Sequence, residues 1–107
     1  MKQQRTTKAP PSPREDGERA DIALRCEARQ GTRPWSLATL GEMSRSGFRI
    51  SGIPSPLPEV PLRIRIPGFQ TLTAHIRWIE GDTIGCEFAQ PLHVAVFDHI
   101  VRIARGG

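Results

Sequence analysis

The chain has 107 residues, enough for one domain with a modest core but not for a second independent fold. Ten glycines and ten prolines favour a fold with many turns, and a net charge of +4 suits an anionic partner or simply a basic tail. Only two cysteines are present, which argues against a disulfide scaffold or a structural zinc site. We therefore expect Cys26 and Cys86 to be buried, reduced thiols in a cytoplasmic protein.

The first thirteen residues differ in composition from the rest of the chain. They contain Lys2, Arg5, Lys8 and three prolines, with no acidic side chain and no large apolar one after Met1. Such a segment buries too little surface to offset its ordering entropy, so residues 1–13 are predicted to be a disordered basic tail. It has no apolar run, so no signal peptide or membrane anchor is expected. The folded domain is predicted over 14–107, beginning with a charged hinge at 14–19.

Period-two alternation begins at Asp21 and predicts the first three strands. In the first, residues 22, 24, 26 and 28 are apolar and should point inward, while Arg25, Glu27 and Arg29 point outward. A turn at 31–34 leads to a second strand over 35–43, whose broken alternation near Gly41 indicates a bulge. A third short strand follows over 48–51. Residues 52–61 contain spaced prolines and are predicted to form a loop.

Three further strands follow the proline-containing loop. Residues 62–66 alternate isoleucine or leucine with arginine, and Pro67–Gly68 then turns the chain. Residues 72–78 alternate again, and Trp78 shares the apolar face, so we expect it in the core. Gly81–Asp82 indicates a tight turn before a last strand over 84–88.

After Pro91 the apolar residues recur at intervals of three and four, which predicts an amphipathic helix over 92–105 ended by two glycines. Six consecutive short strands joined by turns indicate an all-β domain. We expect a six-stranded antiparallel β-barrel, closed so that no strand edge is exposed, with a C-terminal α-helix over one open end.

The sequence lacks the residue patterns of the common catalytic sites. It has no nucleophile elbow, no phosphate-binding loop and no dinucleotide fingerprint. His93 and His99 are six residues apart, which places them on different faces of a helix, and His75 should point outward from a strand. No metal site and no cofactor are therefore expected, and the protein is predicted to bind a ligand rather than to catalyse a reaction.

The segment EMSRSG at 42–47, together with the arginines before the first strand, resembles the PilZ domain family. That family has Arg-x-x-x-Arg before its first strand and Asp/Asn-x-Ser-x-x-Gly between its second and third strands. The later pattern of a basic residue before Trp78, followed by Gly85-x-x-Phe88, is also similar, and the resemblance covers about 14–105. It implies a six-stranded barrel that binds cyclic di-GMP as a bacterial signalling receptor or adaptor with a downstream protein partner.

The resemblance assigns ligand binding to Arg14, Arg19, Glu42, Ser44 and Gly47. An arginine fork can pair with phosphate oxygens or with guanine O6 and N7, and a carboxylate can accept from a guanine edge. Two features depart from the family pattern. Arg14 and Arg19 are five residues apart rather than four, and Glu42 replaces a shorter Asp or Asn. Arg25 and Arg29 match the four-residue spacing but fall inside the predicted first strand.

Two other interpretations remain open at this level. In the first, the arginines of the hinge form only solvated ion pairs, and Ser44 and Gly47 only stabilise a turn. The chain is then a degenerate PilZ domain that does not bind the dinucleotide and acts as a protein–protein interaction module. A barrel that binds single-stranded nucleic acid is disfavoured, because aromatic residues make up 6% of the chain and tyrosine is absent.

Overall fold

A computed structural model describes residues 19–106. The predicted tail at 1–13, the segment 14–18 with Arg14, and Gly107 lie outside the described residues. The elements are β1 Ala20–Gln30, β2 Ser36–Met43, β3 Gly47–Ser51, β4 Leu62–Arg65, β5 Leu72–Glu80, β6 Thr83–Phe88 and α1 Val94–Ala104. Within 19–106, no helix is both long and apolar enough to cross a membrane.

The six strands form a closed antiparallel barrel in the order β1-β2-β3-β6-β5-β4. Strands that follow one another along the chain pair through hairpins, except that the proline-containing loop separates β3 from β4. The β3–β6 and β1–β4 pairs complete the closure. Gly81 has a φ of 65° in the β5–β6 turn, a conformation that favours glycine there. The predicted fold class, an all-β barrel with a C-terminal helix, is confirmed.

The core consists of the inward side chains that the alternation predicts, among them Leu40, Phe48 and Ile64. Helix α1 packs against β1 and adds Phe97 and Ile100 to the same buried cluster. The helix begins after His93, whose Nδ1 accepts a hydrogen bond from the backbone N–H of Ala95 at 3.0 Å.

Both cysteines are free and lie in this core. Burial raises the pKa of the Cys26 thiol to about 11, with a smaller contribution from the Glu27 carboxylate. Burial alone raises the pKa of Cys86 to about 12. Both thiols are therefore held protonated and unreactive at neutral pH.

Three strands carry a register shift, in β1 between Asp21 and Leu24, in β2 between Leu40 and Glu42, and in β5 between Ile76 and Trp78. The shift in β2 confirms the bulge predicted near Gly41.

The shift in β5 shows that the prediction for Trp78 was wrong. Ile76 pairs with the buried Cys86, but the bulge advances the register so that Trp78 pairs with Gly85. Gly85 faces outward between the buried Ile84 and Cys86, so the indole lies on the outer surface of the barrel instead of in the core.

Candidate ligand-binding face

A row of residues that face outward crosses one side of the barrel, and we call it the candidate face. It consists of Arg19, Glu42, Arg49, Gly85 and Trp78. Glu42 pairs with Arg49 across β2 and β3, Arg49 pairs with Gly85 across β3 and β6, and Gly85 pairs with Trp78 across β6 and β5. Arg19 immediately precedes β1. Strand pairing therefore brings together residues that are far apart in the sequence.

Two guanidinium groups meet one carboxylate oxygen at the centre of this face. Oε1 of Glu42 lies 3.2 Å from Nη1 of Arg19 and 3.3 Å from Nε of Arg49. This oxygen is buried, yet neither contact has hydrogen-bond geometry. The side chains of Arg19 and Arg49 nevertheless remain 29% and 48% exposed. Each guanidinium has five N–H donors, so both cations can contact an incoming anion while they stay beside Glu42.

Trp78 forms the aromatic end of the candidate face. Its ring centroid lies 5.8 Å from the guanidinium carbon of Arg49, within cation–π range. A Cβ at position 85 would overlap Cε2 and Nε1 of the indole, so only glycine there lets the ring lie against the sheet. Among the described residues, the buried Nε1 of Trp78 has no hydrogen-bond partner. The half-buried indole thus presents a fixed aromatic surface beside a cation.

Ser44 and Gly47 build the turn that carries Glu42 and Arg49. The Oγ of Ser44 accepts from the backbone N–H groups of Ser46 at 3.2 Å and Gly47 at 3.3 Å. The backbone N–H of Ser44 donates to the Gly47 carbonyl at 2.9 Å. Gly47 does not have a positive φ; instead, a Cβ there would overlap the carbonyl oxygen of Cys86. Its missing side chain lets β3 approach β6.

The same turn is fixed to the segment that leads into α1. The backbone N–H of Leu92 donates to the Arg45 carbonyl at 2.8 Å, and Nε of Arg45 donates to the Leu92 carbonyl at 2.7 Å. The backbone N–H of Phe88 also donates to the Ser46 carbonyl at 2.8 Å. The β2–β3 turn is therefore held from both the barrel and the helix side, which fixes the positions of the residues that flank it.

Four of the five residues assigned from sequence lie together. Arg19, Glu42, Ser44 and Gly47 line one shallow depression of about 10 Å³, together with Met43, Phe48 and Arg49. Arg14 lies outside the described residues. Typical small-molecule cavities have about 300–1,000 Å³, so a dinucleotide would have to lie across this face rather than inside it.

Sequence reasoning missed Arg49 and Trp78 as members of this face. Arg49 could have been found from its outward position between Phe48 and Ile50, two residues after Gly47. Trp78 could not, because no residue type in β5 reveals the bulge. Arg25 and Arg29 lie within β1, as predicted, and do not line the depression. Within residues 19–106, no group of His, Cys, Asp or Glu side chains could hold a metal ion.

Comparison with known proteins adds one positive result. Residues 13–106 match the PilZ domain, and this span contains all five residues assigned from sequence as well as Arg49 and Trp78. A search of curated proteins gave no match. PilZ domains are binding and adaptor domains rather than catalytic ones, and the family is known for binding cyclic di-GMP. Since the match extends over nearly the whole chain and the barrel has the expected strands and helix, the protein belongs to the PilZ domain family.

Proposed function

We propose that this protein is a cytoplasmic signalling receptor or adaptor that binds cyclic di-GMP on the candidate face. One observation carries the proposal: two partly exposed arginines, Arg19 and Arg49, meet Glu42 on the outer surface of a domain whose family recognises this ligand. Cyclic di-GMP has two phosphates and two guanines. Arginine pairs with both groups through the same planar fork, which makes a cluster of arginines on a rigid sheet suited to it.

In this proposal, different side chains of the candidate face bind different parts of the ligand. Arg19 and Arg49 pair with phosphate oxygens or with guanine O6 and N7, and Arg14 supplies a third guanidinium from the segment before β1. Glu42 accepts from the N–H edge of a guanine, for which a carboxylate has the right acceptor atoms. Trp78 offers an aromatic surface for stacking of a base. Ser44 and Gly47 hold the turn that sets the distance between Glu42 and Arg49.

The test is a calorimetric titration of the full chain with cyclic di-GMP. We expect binding heat in the unchanged protein, and amide chemical-shift changes at Glu42, Ser44 and Arg49. Arg14→Ala, Arg19→Ala and Arg49→Ala should each weaken binding about tenfold or more, because each removes a charged hydrogen bond worth about 1.5–3 kcal/mol. Arg63→Ala is the matched control, since Arg63 is exposed on β4 and does not line the depression.

A titration with neither heat nor shift changes would contradict the proposal and favour the second candidate, a degenerate PilZ domain that serves as a protein–protein interaction module. Two departures from the family pattern support this candidate: the hinge arginines Arg14 and Arg19 are five residues apart, and Glu42 replaces a shorter Asp or Asn. Deleting Gly17 while changing Glu42→Asp restores the family pattern in both respects. If the chain is degenerate, that double variant should gain dinucleotide binding that the unchanged protein lacks.

A further inference from the structure

A second surface of the barrel combines positive charge with an apolar groove, and we call it the basic groove. It has a volume of about 460 Å³ and runs along β1 and β2 to the β4–β5 connection. Arg25, Glu27, Leu37, Arg65, Pro67 and Phe69 are among its lining residues. None of its lining residues lines the depression of the candidate face. It is therefore a separate feature of the surface.

Arginine dominates the charge around the basic groove. From Arg25 onwards in β1 and throughout β4, the outward charged residues are Arg25, Arg29, Arg63 and Arg65, with Glu27 as the only acidic one. Strand pairing places Glu27 beside Arg65 and Arg29 beside Arg63. One carboxylate cannot neutralise four guanidinium groups, so this part of the barrel attracts negatively charged partners.

Arg65 is held in place before any partner arrives. Its Nε and Nη2 donate to Oε1 of Glu27 at 3.0 Å and 2.8 Å, and its guanidinium carbon lies 4.0 Å from the ring centroid of Trp35. The side chain is nevertheless 43% exposed and can make further contacts. A side chain that is already ordered loses little entropy on binding, which favours Arg65 as an anchor for a carboxylate.

The basic groove also exposes apolar surface. Leu37, which pairs with Glu27 across β1 and β2, is 61% exposed, more than any other exposed large hydrophobic side chain of residues 19–106. Half-buried Phe69 and exposed Pro67 lie along the same groove. Apolar surface next to ordered arginines is typical of interaction sites, where an apolar anchor is flanked by charge pairs.

We propose that the basic groove binds an acidic segment of a partner protein, with one apolar side chain of that segment against Leu37 and Phe69 and its carboxylates on Arg25 and Arg65. Trp35 does not line the groove, and among the groove's lining residues in 19–106 Phe69 is the one aromatic side chain, so the groove offers little surface for stacking nucleic-acid bases. The chain's own first thirteen residues are basic, so charge complementarity does not favour them as occupants.

The test is an amide chemical-shift titration of the full chain with a short peptide in which one phenylalanine stands between two runs of glutamate. We expect the largest shifts at Glu27, Leu37, Gly68 and Phe69. Leu37→Ser and Arg65→Gln should each weaken binding about tenfold. Arg77→Gln is the matched control, because Arg77 forms the same kind of ion pair with Glu87 on β5 and β6. Leu37 is largely exposed, so Leu37→Ser keeps the test valid even if Arg65→Gln disturbs the fold.

Several results would overturn the proposal. One is the absence of shifts in the groove when the peptide is added. Another is binding of the peptide by Leu37→Ser and Arg65→Gln that is as tight as its binding by Arg77→Gln. Equally tight binding of a peptide that has alanine in place of phenylalanine would contradict the proposed contact of an apolar side chain with Leu37 and Phe69. Tighter binding of oligothymidylate than of the peptide would assign the surface to nucleic acid. Self-association that Leu37→Ser abolishes, measured by sedimentation, would assign it to a second copy of the chain.

Discussion

Gly47→Ala tests the role that the structure gives to the glycine of the EMSRSG segment. A Cβ at position 47 would overlap the carbonyl oxygen of Cys86 and lie 3.4 Å from Cα of Glu87, its pairing partner in β6. Because these are backbone atoms, β3 and β6 must separate to relieve the overlap, which places the cost near the upper part of the range of about 1–3 kcal/mol for overpacking. Alanine recovers about 0.5–1 kcal/mol of backbone entropy. We expect a net loss of about 2 kcal/mol.

Urea denaturation followed by tryptophan fluorescence measures this loss directly, and a domain of this size should melt about 8–16 °C lower. Gly41→Ala is the matched control, because it lies in the neighbouring strand with no atom within 4 Å of the added Cβ and without a positive φ. It should leave the free energy of unfolding unchanged or raise it by up to about 1 kcal/mol. Equal stabilities of the two variants would refute the argument that β6 requires glycine at position 47.

Three further changes test other parts of the domain. Gln30→Leu should lower the free energy of unfolding by about 2–4 kcal/mol in urea denaturation. Buried Gln30 accepts a hydrogen bond from the N–H of Leu57 and donates to the carbonyls of Leu57 and Val60, at 2.7–2.8 Å, and leucine can make none of these bonds. Gln70→Leu, at an exposed position, is the control and should not lower the free energy of unfolding. His93→Ala should lower the free energy of unfolding by about 0.5–2 kcal/mol and lower the helicity measured by circular dichroism, because it removes the helix cap. His93→Asn keeps a capping acceptor and should lower neither. The raised pKa values of Cys26 and Cys86 mean that the contribution of these thiols to stability is fully present below pH 9.0 and decreases from there towards pH 11–12, because the unfolded chain then loses protons that the folded chain retains. Urea midpoints measured from pH 9 to pH 12 check the sign, and a midpoint that rose with pH would contradict it.

The strands and the helix could be predicted from the sequence because their inward positions are consistently apolar. The bounds differ by one or two residues at most elements, as in β5, which was predicted over 72–78 and extends to Glu80. The helix was predicted from residue 92, but it starts at Val94, since Leu92 bonds to Arg45 and His93 serves as the cap. The partner of each strand is harder to predict. The β3–β6 and β1–β4 pairs join segments far apart in sequence, and alternation carries no information about which strands become neighbours.

Residues of the candidate site could be predicted only where they belong to a short sequence motif. Ser44 and Gly47 were found through their spacing, and Glu42 with them. The contacts of Glu42 to Arg19 and Arg49 could not be predicted, because they depend on the register of three strands. The same holds for the basic groove, where Arg65 meets Glu27 and Trp35 only after β4 closes the barrel against β1.

Register shifts explain why two residues of the candidate face, Glu42 and Trp78, do not follow the alternation of their strands. The shift in β1 follows Asp21, close to Arg19; the shift in β2 directly precedes Glu42; and the shift in β5 directly precedes Trp78. A bulge adds a residue and thereby reverses the side to which the following residues point, which breaks the period of two and directs a side chain that would otherwise be buried towards solvent. Glu42 and Trp78 reach the outer surface in this way. The bulges in β2 and β5 thus place on the candidate face two side chains that alternation alone would direct into the core.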